Sequence, residues 1–171
     1  PHERSKGLIK GYVEKVISDY PQMLREREHL KKQIENFEFL SADEFIRAMS
    51  FSHSDGERVQ SSDLSYKTAR IALGYRDKLD RINEELIVPM QKRYYALDTE
   101  IAFLKSAISH LPDDLFHIMQ GLVIEGRTWD EVSEEMFISI TKLQKLRKSA
   151  IDHLTRTYQR RESEQVRILL S

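Results

Sequence analysis

Cysteine is absent from the 171 residues, so neither disulfide staples nor thiolate metal sites can hold this chain together. That usage fits a reducing compartment and makes the cytoplasm the expected location. Proline and glycine are scarce, at four and six residues, which leaves few interruptions to long helices. No apolar run approaches the roughly 20 residues needed to cross a bilayer, and the opening PHERSKGLIKGY holds no apolar stretch of the signal-peptide kind, so no membrane association is expected. A charge excess is missing too, since 27 Lys and Arg stand against 28 Asp and Glu, for a formal net charge of −1. Indiscriminate attraction to nucleic acid or anionic lipid is thereby excluded, and any anion-binding surface must be local.

Catalytic signatures are lacking as well. There is no glycine-rich phosphate loop, nucleophile elbow or paired-carboxylate pattern, so the expectation is a non-enzyme without a cofactor. His110, Asp113, Asp114 and His117 straddle a proline and lack metal-ligand spacing, while His53, Asp55 and Glu57 lie in a polar stretch; no metal is expected at either.

What is present is helical periodicity. Leu8, Ile9, Tyr12, Val13, Val16 and Ile17 form one stripe from about Lys6 to Tyr20, where Pro21 is expected to end or restart the helix. A second helix is read from about Gln22 to Phe39, and the capping box Ser41-Ala-Asp-Glu44 opens a short one reaching about Met49. Residues 51–63, FSHSDGERVQSSD, lose the periodicity and read as the main loop. From about Asp63 to His110 a heptad-like seam follows, Tyr75, Leu79, Ile82, Leu86, then Met90, Tyr94, Leu97, Ile101, Leu104, Ile108, Leu111, with a kink or break expected at Pro89. This seam can pack against the first helices or against a second copy as a homodimer. The fold expected is all-α, an elongated helical or coiled-coil region over 1–110 and a compact helix-turn-helix module with a C-terminal tail over 111–171.

In that module Leu111-Pro112-Asp113 closes one helix and opens the next, which Glu125-Gly126 stops through a left-handed glycine. Thr128-Trp-Asp-Glu131 caps a short helix with Trp129, Val132 and Met136 inward; Phe137-Ile138 turns the chain; and Ser139 caps a third helix facing the core through Leu143, Leu146, Ala150, Ile151 and Leu154. The charges sort with the helices. Residues 125–135 hold Glu125, Asp130, Glu131, Glu134 and Glu135, while beyond Ser139 stand Lys142, Lys145, Arg147, Lys148 and Arg156 against the single acid Asp152. A short helix, a tight turn and a basic helix form the helix-turn-helix pattern, whose second helix lies in a DNA major groove. The tip residues Ile140 and Thr141, with Gln144 and Lys145, are then the candidates for base edges, and Lys142, Arg147 and Lys148 those for phosphates.

The stretch LPDDLFHIMQGLVIEGRTWDEVSEEMFISITKLQKLRKSAIDHL resembles region 4 of bacterial sigma factors at Leu111-Pro112, Gly126, Thr128 to Met136, Ser139, and Ala150-Ile151-Asp152-His153-Leu154. With SSDLSYKTARIAL before it, the chain is similar to phage-encoded sigma-like transcriptional activators of the RinA and ArpU type, over about a third of its length. The resemblance implies sequence-specific binding of double-stranded DNA by the residues after the capping Ser139. The acidic helix before it, with Asp130 and Glu131 in its first turn, either simply favours the helix dipole or meets a basic partner such as RNA polymerase. Two positions depart from the pattern: Ile140 is apolar where the family carries a polar or basic side chain, and Trp129 is bulkier than usual. Two other readings stand beside it, a coiled-coil adaptor that binds polymerase or a sigma factor without touching DNA, and a packaging-type DNA-binding oligomer.

Overall fold

The computed structural model describes the backbone of residues 2–51 and 61–169, and the side chains of 7–45, 47 and 74–169. Among these residues there is no strand, and the fold is all-α. The elements are α1 (His2–Glu35), α2 (Ala42–Phe51), α3 (Ser61–Ser109), α4 (Asp113–Met119), a π-helical turn (Gln120–Ile124), α5 (Trp129–Glu135) and α6 (Ile140–Leu169).

Neither proline ends its helix. α1 runs unbroken through Pro21 and α3 through Pro89. Both prolines are exposed, so water can take the carbonyl that lost its N–H partner, and Val13, Val16, Ile17 and Tyr20 hold the turns before Pro21 in the core. The two N-terminal helices expected from the sequence are therefore one. Of the expected loop, Phe51 ends α2 and Ser61 to Asp63 already belong to α3; the remainder, with His53, Asp55 and Glu57, lies outside the described residues.

Two compact units emerge, one formed by residues 1–28 with 96–171, the other by 29–95. A boundary at 110/111 does not separate them, because one core joins Val13, Val16 and Ile17 of α1, Ile101, Leu104 and Ile108 of α3, Leu115 and Met119 of α4, and Ala150, Ile151, Leu154 and Tyr158 of α6. The end of the seam, from Leu97 to Leu111, is thus buried within the chain itself. In the other unit Asn83 is buried, and its side chain accepts from the Leu40 N–H at 2.9 Å and donates to the Leu40 carbonyl at 3.4 Å, satisfying both ends of a buried amide. The Ser41–Glu44 box forms as the sequence implies: Glu44 accepts from Ser41 N–H at 3.0 Å while Ser41 Oγ accepts from Glu44 N–H at 3.3 Å.

Candidate nucleic-acid interface

Pro112 stands at the N-cap of α4 with φ −52° and ψ 147°, and its carbonyl accepts from Phe116 N–H at 2.8 Å. The helix then widens into the π-helical turn, where Glu125 N–H donates to Gln120 O at 2.9 Å. Gly126 has φ +66°, the left-handed conformation that glycine adopts without steric cost. A second glycine matters for a different reason: a Cβ on Gly121 would stand 3.0 Å from Val132 Cγ2, so Gly121 lets α5 approach.

The Thr128 box is complete. Thr128 Oγ1 accepts from Glu131 N–H at 3.2 Å and the Glu131 carboxylate accepts from Thr128 N–H at 2.7 Å. The Thr128 hydroxyl also donates to that carboxylate at 3.0 Å, and the two bonds the carboxylate accepts, from the backbone N–H first and the hydroxyl second, hold the Glu131 carboxyl below its ordinary range. After α5 the chain turns through Phe137, whose φ is 53°. Ile138 N–H donates to Ser133 O at 3.1 Å and Ser133 Oγ donates to Ile138 O at 2.5 Å. Ser139 then caps α6, its Oγ accepting from Lys142 N–H at 3.2 Å. A small core of Ile118, Val132 and Leu143, with Leu122, Met136, Ile138 and Leu146 against it, locks the three helices together.

That lock orients α6. Leu143 is 0% exposed, while Thr141, Lys142, Gln144, Lys145 and Lys148 are exposed. Thr141, Lys145 and Lys148 follow i, i+4, i+7 spacing and share one face, with Gln144 at its edge. Ile140 is half-buried, which leaves Thr141 as the exposed side chain of the tip. Arg147 is half-buried too, its guanidinium 5.9 Å from the centroid of the Trp129 ring. Trp129 is 37% exposed and not a core residue: as the first residue of α5 it lies beside α6, and a cation–π contact takes the place of burial.

The acid on this part of α6 is neutralised from far away in sequence. Lys10 Nζ of α1 lies 2.8 Å from Asp152 Oδ1, with both side chains partly exposed, and that bond raises the Lys10 pKa. The acids before Ser139 are also largely committed. Arg127 pairs with Glu125 at 2.8 Å and with Glu135, and Glu131 serves the cap.

The far half of α6 is fastened by a polar bracket. Glu100 accepts from Tyr158 Oη at 2.9 Å and from Arg161 Nη1 at 2.8 Å, Arg161 lies over the Phe103 ring at 4.2 Å, and Phe103 meets Tyr158 edge-on at 4.7 Å. Burial, then the Glu100 charge, pushes the Tyr158 phenol far above its ordinary range.

Lys10, Glu100, Arg161 and Gly121 escaped the sequence reading. The first three act across the chain and leave no local signal; Gly121, inside an apolar helix, is the kind of glycine that marks a close approach. Among the described residues no three His, Cys, Asp or Glu gather as a metal site, and no helix is long and apolar enough to cross a membrane. His110 Nδ1 lies 2.7 Å from Ser106 O. The chain matches no family model, no curated protein and no solved structure.

Proposed function

We propose that this chain binds double-stranded DNA at specific sequences and regulates transcription in the manner of the phage sigma-like activators, with the first turns of α6 lying in a major groove. One observation carries the reading: Thr141, Gln144, Lys145 and Lys148 are exposed together on a capped helix whose opposite face is locked by Leu143 into the core beneath α5. Gln144 suits the paired donor and acceptor of adenine, Lys145 suits guanine O6 and N7, and the Thr141 methyl suits thymine. Lys142 and Lys148 supply phosphate contacts and salt-dependent affinity. Arg147 takes a different part in this reading, bracing α5 through Trp129, with any phosphate contact made at the border of the two helices.

The test is selection of duplexes from a random pool by the purified protein. One enriched motif of a few base pairs is expected. A protein that enriches nothing, yet forms a stoichiometric complex with RNA polymerase, is an adaptor instead. A large oligomer by light scattering with no preferred sequence supports the packaging reading.

A further inference from the structure

Phe137 carries two features that nothing among the described residues offsets. Its φ of 53° lies in the left-handed region, where Cβ crowds the backbone and a bulky residue is an outlier. Its ring is 95% exposed, so the largest side chain of the turn leaves its apolar surface in water. The turn around it is firmly held: Phe137 N–H donates to Glu134 O at 3.2 Å, and Ser133 binds Ile138 through both its carbonyl and its hydroxyl. Ile138 packs on the small core and Ser139, two residues on, caps α6. A strained residue persists where its surroundings over-determine it, and such residues gather at binding sites.

Resting on the DNA reading above, we infer that Phe137 is a specificity residue for thymine, its ring meeting a thymine C5-methyl at the edge of the groove that α6 enters. The occupant follows from the helix that the turn leads into, since the acids just before the ring, Glu134 and Glu135, belong to α5. The exposed chain beyond the cap is cationic, Lys142, Lys145 and Lys148, and complements a polyanion. The thymine methyl is the apolar group that a duplex displays in its major groove, and phenylalanine is among the side chains that meet it. Ile140, apolar and half-buried at the tip, belongs to the same chemistry. A tip poor in polar side chains thus becomes one that reads methyl groups.

The experiment is a coupling cycle between Phe137→Asn and deoxyuridine, which removes the methyl and nothing else. On the selected duplex, wild type is expected to lose about three- to fourfold in affinity when one particular thymine becomes deoxyuridine, the worth of one buried methyl. Phe137→Asn is expected to bind the thymine duplex more weakly, to be indifferent to that replacement, and to keep the wild-type slope of affinity against salt, because no counterion contact is lost. Asparagine tolerates the left-handed conformation, so the variant should melt no lower than wild type. Equal deoxyuridine sensitivity in both proteins overturns the inference, as does unchanged affinity in Phe137→Asn or a lowered melting temperature, which would mean that the ring packs within the chain. If wild type selects no duplex, the DNA reading itself has failed; if Gln144→Ala and Lys145→Ala weaken binding and Phe137→Asn does not, only this inference has.

Discussion

Single residues set where the helices of the module begin and how closely they pack. Thr128 satisfies an orphan N–H of α5, and its replacement by alanine is expected to cost about 1 kcal/mol, read from a shifted urea midpoint at constant slope. Its partner Glu131 adds a pH dependence. The folded-state value lies below the ordinary glutamate range of about 4.3, so the contribution is complete above that range and vanishes as pH falls through the folded value. Glu131→Gln should therefore melt lower than wild type at pH 7, with the difference shrinking as pH is taken down below the ordinary glutamate range. Gly121 is a sharper case, since alanine there would gain up to about 1 kcal/mol of helix propensity yet press on Val132 Cγ2. Val132 is buried among Ile118 and Leu143 and has nowhere to yield, so overpacking of about 1–3 kcal/mol wins and the variant should unfold earlier. Both capping boxes and Gly126 were legible in the sequence because each is decided by residues within one turn of chain. The surroundings of Trp129 and the conformation of Phe137 were not, because a neighbouring helix settles the first and the fit of the whole turn the second.

At the scale of an element, α6 serves two ends of one unit. Its first turns present the exposed polar face, while Tyr158 and Arg161 tie its far half to Glu100 of α3. Replacing Glu100 by alanine removes two charge-assisted bonds from a largely buried place, and a loss of about 2–3 kcal/mol in unfolding free energy is expected. Base preference on the selected duplex should survive below the lowered melting temperature, because the bracket lies remote in sequence from Thr141 to Lys148. The periodicity of α1, α3 and α6 was readable from apolar spacing alone. That α1 and α3 continue through Pro21 and Pro89 was not, since a proline's local penalty of about 3 kcal/mol is read from the sequence while what offsets it, for α1 the burial of Val13, Val16, Ile17 and Tyr20, exists only in the folded chain.

For the whole molecule, near-neutral charge makes placement decisive. The single acid on the basic half of α6, Asp152, is covered by Lys10 from the opposite end of the chain. On the proposed DNA reading, removing Lys10 takes away one cation that offsets Asp152 and should weaken DNA binding most at low salt, whereas Asp152→Asn in the same background should restore binding; measurement of both slopes against salt checks the pair. The compact unit of 1–28 with 96–171 was hidden from the sequence for the same reason as this ion pair. A turn signal at Leu111-Pro112 suggests a boundary, and only long-range packing of Val13 and Ile17 beside Leu154 erases it.

The most direct measurement of the central claim is the ratio of affinities for the selected duplex and a scrambled one, for wild type and for the Gln144→Ala, Lys145→Ala double variant, at one fixed salt concentration. The face of α6 as described here predicts a ratio that falls by about 1–3 kcal/mol for each base contact removed, with scrambled-duplex affinity reduced far less. An unchanged ratio would contradict it.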